Sequence, residues 1–293
     1  MKNYKKVVAS SSGDILYIPH KYLGHTLSKN SRSFFSRKYS KEEYFTNNEG
    51  WRVGSKNQKA KEVDILFAGD SNALGTGVEY KNTIGYFLSK ILKKKIANIG
   101  IGSYSDIQIL RKINLNAQIA KPKVVIYLYT NTIARCFKQN GLLDIVHRPI
   151  LKKNKKNKNI ELVEPNQIPF FIYKRFAKLE LKKLNNKFNI FNKIEREFLW
   201  TLCQIINRRL KNFVKRILNI SKNEYIDSND RFARLHAIKL ISKEINRLVY
   251  KFNFKVLFFP IYPYLKKRKE INKHYNEMKV FVEILKKSKK NKN

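Results

Sequence analysis

VDILFAGDS, residues 63–71, joins a short apolar run to a glycine and two polar turn residues. A run of that length closed by glycine fits a strand buried inside a parallel sheet, from Val63 to Gly69. Working downstream, Thr83 to Lys93 is amphipathic at helical period, Ile96 to Ile99 reads as a second strand, and Ser105 to Ala120 as a second helix. Val124 to Tyr129 (VVIYLY), entered through Lys121-Pro122-Lys123, reads as a third strand. Alternation of this kind predicts βαβ units with right-handed crossovers and a parallel sheet covered on both faces. The pattern resumes with a helix over Arg234 to Tyr250 and a fourth strand over Phe254 to Ile261 (FKVLFFPI). A last helix, from about Lys269 to Lys286, leads into the lysine-rich KKSKKNKN.

Upstream, residues 1–60 hold turn signals and aromatics but little periodicity, and read as an extended lead-in ending near Asn47-Asn48-Glu49-Gly50-Trp51-Arg52. Between the third and fourth strands, residues 138–230 are far too many for an ordinary βα connection and must carry structure of their own. Their first part, LKKNKKNKN, is low in complexity and basic, and is expected to be a mobile loop. Their second part places Phe198, Leu202, Ile206, Leu210, Phe213 and Ile217 at helical spacing among basic residues, which predicts a basic helical insertion. The α/β unit is then residues 61–137 and 231–293.

Composition narrows the function classes. A net charge of +40, from 62 basic and 22 acidic residues, implies salt-dependent attraction to polyanions. No zinc-finger spacing, RNP-like aromatic motif or helix-turn-helix pattern accompanies it, so sequence-specific nucleic-acid binding is not expected. Lys, Asn and Ile are abundant throughout, as a codon bias would also produce. The basic insertion could meet an anionic membrane or polysaccharide, its apolar stripe packing on the sandwich or entering the interface. Cys136 and Cys203 are too few and too far apart for a disulfide framework or thiolate metal site, and read as buried thiols. No stretch has the length of a membrane span or a secretory signal, so the expectation is a cytoplasmic protein or one peripheral to the inner membrane.

Gly69-Asp70-Ser71 falls where a parallel sheet presents groups at the carboxyl ends of its strands. A serine there can attack an ester carbonyl while its own amide helps bind the oxyanion. The surrounding blocks extend the signal: ILFAGDSNALGTGVEYKNTIGYFLSKIL, then NIGIGSYS from Asn98, then KPKVVIYLYTN ending at Asn131. In this order, each after an expected strand, they resemble the SGNH/GDSL-type serine ester hydrolases, and the Asn47 to Arg52 segment resembles that superfamily's lead-in. The resemblance implies Ser71 as nucleophile, the Gly102 to Ser103 turn as backbone oxyanion donor and the Asn131 side chain as a further donor. Aligned without gaps from Asn98, the usual glycine falls on Ser103, so that residue must accept the turn conformation. Thr132 stands where an acidic residue commonly follows the asparagine. The implied fold is a three-layer α/β/α sandwich with a flavodoxin-like parallel sheet.

The superfamily's base is the histidine of an Asp-x-x-His block after a fifth strand, and neither is found after Ile261. Of the five histidines, His20, His25, His236 and His274 read as structural or exposed. Asp144-Ile145-Val146-His147 has the required spacing at another place in the chain, and triads are recognised by geometry rather than order. The expected function is hydrolysis or transfer of an O-acyl ester, a small molecule or an envelope carbohydrate, weak without its base. The alternative is a non-catalytic binding protein of the same fold for an anionic partner. No metal or organic cofactor is implied.

Overall fold

The protein is described from a computed structural model at residues 15–36, 41–55, 63–130, 132–138, 140–142, 146–154, 159–166, 168–184, 190–199, 201–202, 223–224, 227, 230–258, 275–276 and 279–283. The lead-in opens with a separate antiparallel pair, β1 (Tyr17–His20) and β2 (Gly24–Leu27). β3 (Arg32–Ser36), β4 (Lys41–Thr46) and β5 (Arg52–Val53) follow as an antiparallel meander. The expected units come next: β6 (Ile65–Ala68), α1 (Ser71–Leu74), α2 (Ile84–Leu92), β7 (Ile96–Asn98), α3 (Asp106–Ala120) and β8 (Val124–Tyr129).

The helices begin where their sequences supply caps. The Thr83 hydroxyl accepts the Tyr86 amide at the start of α2. At α3 the Gln108 side chain reaches back to accept the Ser105 amide at 3.0 Å, half of a capping box.

Beyond β8, residues 138–230 are not only helical. β9 (Asn140–Leu142) and β10 (Val146–His147) pair antiparallel, as do β11 (Ile150–Asn154) and β12 (Ile160–Val163). α4 (Phe170–Leu184) and α5 (190–199) follow, and β13 (Asn223–Glu224) returns to β11. The LKKNKKNKN run is therefore a strand over Leu151 to Asn154, with 155–158 outside the described residues. Ile150, Leu151 and Lys152 are buried, and pairing with β12 satisfies the backbone, so lysine content did not prevent a strand. Of the expected helical stripe, Phe198 is 63% exposed and Leu202 is half-buried, while Ile206, Leu210, Phe213 and Ile217 lie outside the described residues. α6 (Arg231–Lys251), capped by the Asp230 carboxylate on the Ala233 amide, leads to β14 (Phe254–Phe258).

The fold is α/β around one seven-stranded mixed sheet of order β14-β8-β6-β7-β5-β4-β3. β14, β8, β6 and β7 are parallel, and β5 joins β7 antiparallel with Arg52 opposite Asn98. The lead-in thus covers what would otherwise be an open edge at β7. Leu66, Ala68, Val125 and Tyr127 pack with Ile109 and Ile113 of α3 and Ile238 and Ile241 of α6. Phe67 and Leu128 instead join a second cluster with Ile84 and Leu88 of α2, as strand alternation requires. Of the expected last helix, residues 275–276 and 279–283 are helical, and Phe281 stacks on Tyr129 at 4.7 Å between ring centroids. Among the described residues no helix is long and apolar enough to cross a membrane.

Candidate active site

Ser71 is the first residue of α1, directly past β6, and is half-buried. Asp70 caps this short helix: its Oδ1 accepts the Asn72 amide and the Asn72 side-chain amide, each at 3.0 Å. Its Oδ2 meets Arg135 Nη1 at 3.1 Å, and the same Nη1 donates to the Tyr104 carbonyl at 2.8 Å. The aspartate beside the serine is thus occupied in holding the turn, not in activating a nucleophile.

The chain after α1 is held from the lead-in. Arg52, fully buried, donates to the carbonyls of Leu74, Gly75 and Val78, each at 2.6 Å, and lies 3.9 Å over the Tyr44 ring. Tyr44 donates to the Gly75 carbonyl and accepts the Gly77 amide. Burial lowers the Arg52 pKa, with Tyr44 and its neighbours opposing that shift. Arg52 and Tyr44 were not singled out as site residues from the sequence; the signal that pointed there was the Asn47 to Arg52 lead-in.

The turn after β7 lies against α1. The Ile101 amide donates to the Gly69 carbonyl at 3.1 Å, and Asn98 Nδ2 donates to the Ala73 carbonyl at 2.7 Å. A Cβ on Gly100 would lie 2.4 Å from the Leu74 nitrogen, so only glycine allows this approach. Ser103 adopts the left-handed conformation, φ 66°, which meets the condition that the turn placed on it. Gly102 is half-buried, and its carbonyl lies 3.2 Å from His25 Nε2.

Asn131 and Asp144 lie outside the described residues, although Thr130 and Thr132 on either side of Asn131 are buried. Thr132 has a definite partner: its hydroxyl donates to Asp106 Oδ2 at 2.9 Å, and the Tyr127 hydroxyl donates to the other oxygen of the same carboxylate. Burial pushes the Asp106 carboxyl up, and the two hydroxyls oppose the shift. Cys136 is buried, and burial raises its thiol to about 12, which leaves it unreactive at neutral pH. Cys203 and His274 lie outside the described residues.

Of the remaining described histidines, His20 and His25 are held in structural contacts. His20 Nδ1 accepts the Tyr22 and Leu23 amides in the β1–β2 turn, and burial followed by the Lys112 charge lowers its pKa. His25 is buried between the Tyr17 and Tyr104 rings. His147 is in β10, its amide donating to Asn166 Oδ1 at 2.6 Å, and His236 is half-buried on α6. Among the described residues no hydrogen bond joins any of them to Ser71. Nor do these residues contain a cluster of three or more His, Cys, Asp or Glu side chains able to hold a metal ion. No protein-family model matches the chain, and no curated protein matches it.

Proposed function

We propose that the chain is an SGNH/GDSL-type acyl hydrolase or acyltransferase acting on an O-acyl ester, carried on a three-layer α/β/α sandwich of flavodoxin-like type. The observation behind this reading is that Ser71 opens α1 directly after β6 while the turn bearing Ser103 packs on that same short helix. In the proposed reaction Ser71 Oγ adds to the ester carbonyl. The oxyanion is held by the amides of Ser71 and Ser103 and by the Asn131 side chain, and the alcohol leaves. Water or an acceptor hydroxyl then takes the acyl group. By resemblance alone, the substrate class is a carbohydrate ester.

Activity depends on a base, and loss of the triad histidine costs about 10⁶-fold in the well-studied subtilisin case. Hydrolysis of p-nitrophenyl acetate is therefore expected near background, with Ser71→Ala changing it little. Robust turnover abolished by Ser71→Ala would show that a base is present, and His147→Ala would then test the pair with Asp144. Labelling of Ser71 by a fluorophosphonate tests the nucleophile itself; an unlabelled serine under forcing conditions removes the reading.

A second reading, attachment to an anionic membrane surface, rests on the net charge of +40 together with the exposed apolar face of α5, where Ile190, Phe191, Ile194 and Phe198 are 61–76% exposed while Lys193 and Arg196 are balanced by Glu195 and Glu197. Vesicle flotation at low salt should recover more protein with anionic than with neutral lipid. Equal recovery would rule out electrostatic attachment.

A further inference from the structure

Arg148, two residues before β11, is only 6% exposed, and its Nε has no hydrogen-bond partner. Burying a guanidinium is costly unless a carboxylate or several acceptors replace its water. Burial first, and the charge of Arg135 second, bring the Arg148 pKa down to about 10, with Cys136 opposing the shift. Arg135 keeps 35% of its side chain exposed while bonded to Asp70. Asp70 is shared between Arg135 and the α1 cap, and Asp106 is engaged by the Tyr127 and Thr132 hydroxyls. One positive charge is left without a carboxylate among the described residues.

The backbone that carries this charge is closely packed. β11 packs on the 3₁₀ turn Ile133–Phe137 that carries Arg135. A Cβ on Gly24 would lie 2.5 Å from the His147 carbonyl oxygen and 3.1 Å from the Arg148 Cα, so the backbone of Arg148 is pressed against β2. The next residue of β2, His25, reaches the Gly102 carbonyl. Arg148 is therefore brought near the Ser71 turn by the packing of β11 on the segment whose Arg135 bonds Asp70, and near the second turn through β2.

We propose that Arg135 and Arg148 form an oxyanion-binding subsite beside Ser71, which takes the carboxylate, phosphate or sulfate group of the molecule that presents its ester to the serine. Two guanidiniums offer a planar oxyanion a forked set of donors, and the anion supplies the charge and acceptors that Arg148 lacks. Anion binding itself stands on the two arginines; that the anion belongs to an ester substrate rests on the reading of Ser71 as nucleophile.

The test is calorimetric titration of the full chain at low ionic strength with inorganic phosphate, sulfate and glucuronate as probes. One saturable site is expected, weakened about tenfold or more in Arg148→Met and less in Arg148→Lys, and unchanged in Lys90→Gln. The tighter probe tells whether the group is a carboxylate or a tetrahedral oxyanion. Arg148→Met removes no hydrogen bond at Nε and should fold; Arg148→Lys serves if it does not. Equal affinity in wild type and both Arg148 variants, or an equal loss in Lys90→Gln, overturns the subsite. Fluorophosphonate labelling of Ser71 slowed by the bound anion in wild type, and not in Arg148→Met, joins the subsite to the hydrolase reading. Arg148-dependent binding without labelling of Ser71 keeps the subsite and removes that reading.

Discussion

Arg52 and Arg148 are both buried arginines at the margin of the site, and they sit in opposite environments. Arg52 has its charge spread over three backbone carbonyls and an aromatic face. Arg148 has burial of the same order, an Nε without an acceptor, and a second arginine nearby. A buried cation that closes backbone acceptors is a structural element, because removing it strands those acceptors. One that closes none costs stability in the unliganded protein, and the natural remedy is a bound anion. The contrast separates the arginine that holds the turn bearing Ser71 from the one proposed to bind an anion.

The largest effect should come from Arg52→Met, which leaves the carbonyls of Leu74, Gly75 and Val78 without their donor. A loss of roughly 3–5 kcal/mol in urea unfolding is expected, with relief of the buried charge offsetting part of the stranded acceptors. A change below about 1 kcal/mol would erase the distinction between the two arginines.

Arg148→Met should move the other way. With its pKa at about 10 against an ordinary 12.5, the folded state disfavours the charged form, and the cost is fully present at neutral pH. Without added anion the variant is expected to be more stable by roughly 1–3 kcal/mol, read from the urea midpoint at constant slope. Destabilisation of the size expected for Arg52→Met would show that Arg148 is structural after all.

Lys112 sharpens the comparison because it stands between the two cases. It is buried, with one acceptor, Thr26 Oγ1 at 2.9 Å, and burial followed by the Lys29 charge lowers its pKa from 10.5 to about 8. Lys112→Met should stabilise by about 1–2 kcal/mol at pH 7, less than relief of the charge alone because the Thr26 bond is lost. The sign in pH follows from proton binding. Between pH 8 and 10.5 the unfolded state holds more protons at this site, so wild-type stability should rise with pH from about 8. Cys136, whose thiol burial raises from 9.0 to about 12, opposes this rise from about pH 9, so the slope is read between pH 8 and 9, which also avoids the opposite contribution of Tyr17, Tyr104, Tyr127 and Tyr173. Burial raises the pKa of all four, so they favour the folded state less as pH passes the ordinary tyrosine value near 10. Lys112→Met should flatten the rise, and an unchanged slope would assign it to another group.

Local patterns in the chain alone determined the four parallel strands, the helices α2, α3 and α6, and the place of Ser71 at the end of the first strand. Hydrophobic period, capping residues and glycine spacing act over a few residues and need no knowledge of the rest of the fold. The lead-in strands were not legible in that way. β4 reads KEEYFT, and its glutamates hide an alternation in which Tyr44 and Thr46 are buried, meaningful only once β3 and β5 lie beside it. β11 was hidden likewise, its lysines reading as a loop until β12 and β13 satisfied its backbone. The surroundings of the site were decided wholly by tertiary structure. Arg52 and Leu74 are twenty-two residues apart, Asp70 and Arg135 sixty-five, and His25 and Gly102 seventy-seven. No local periodicity encodes such pairings, since they arise from sheet order and crossover direction. Whether a buried charge meets an acceptor depends on those long-range contacts, so Arg52 and Arg148, both simply arginines in the sequence, acquire their different roles only in the folded chain.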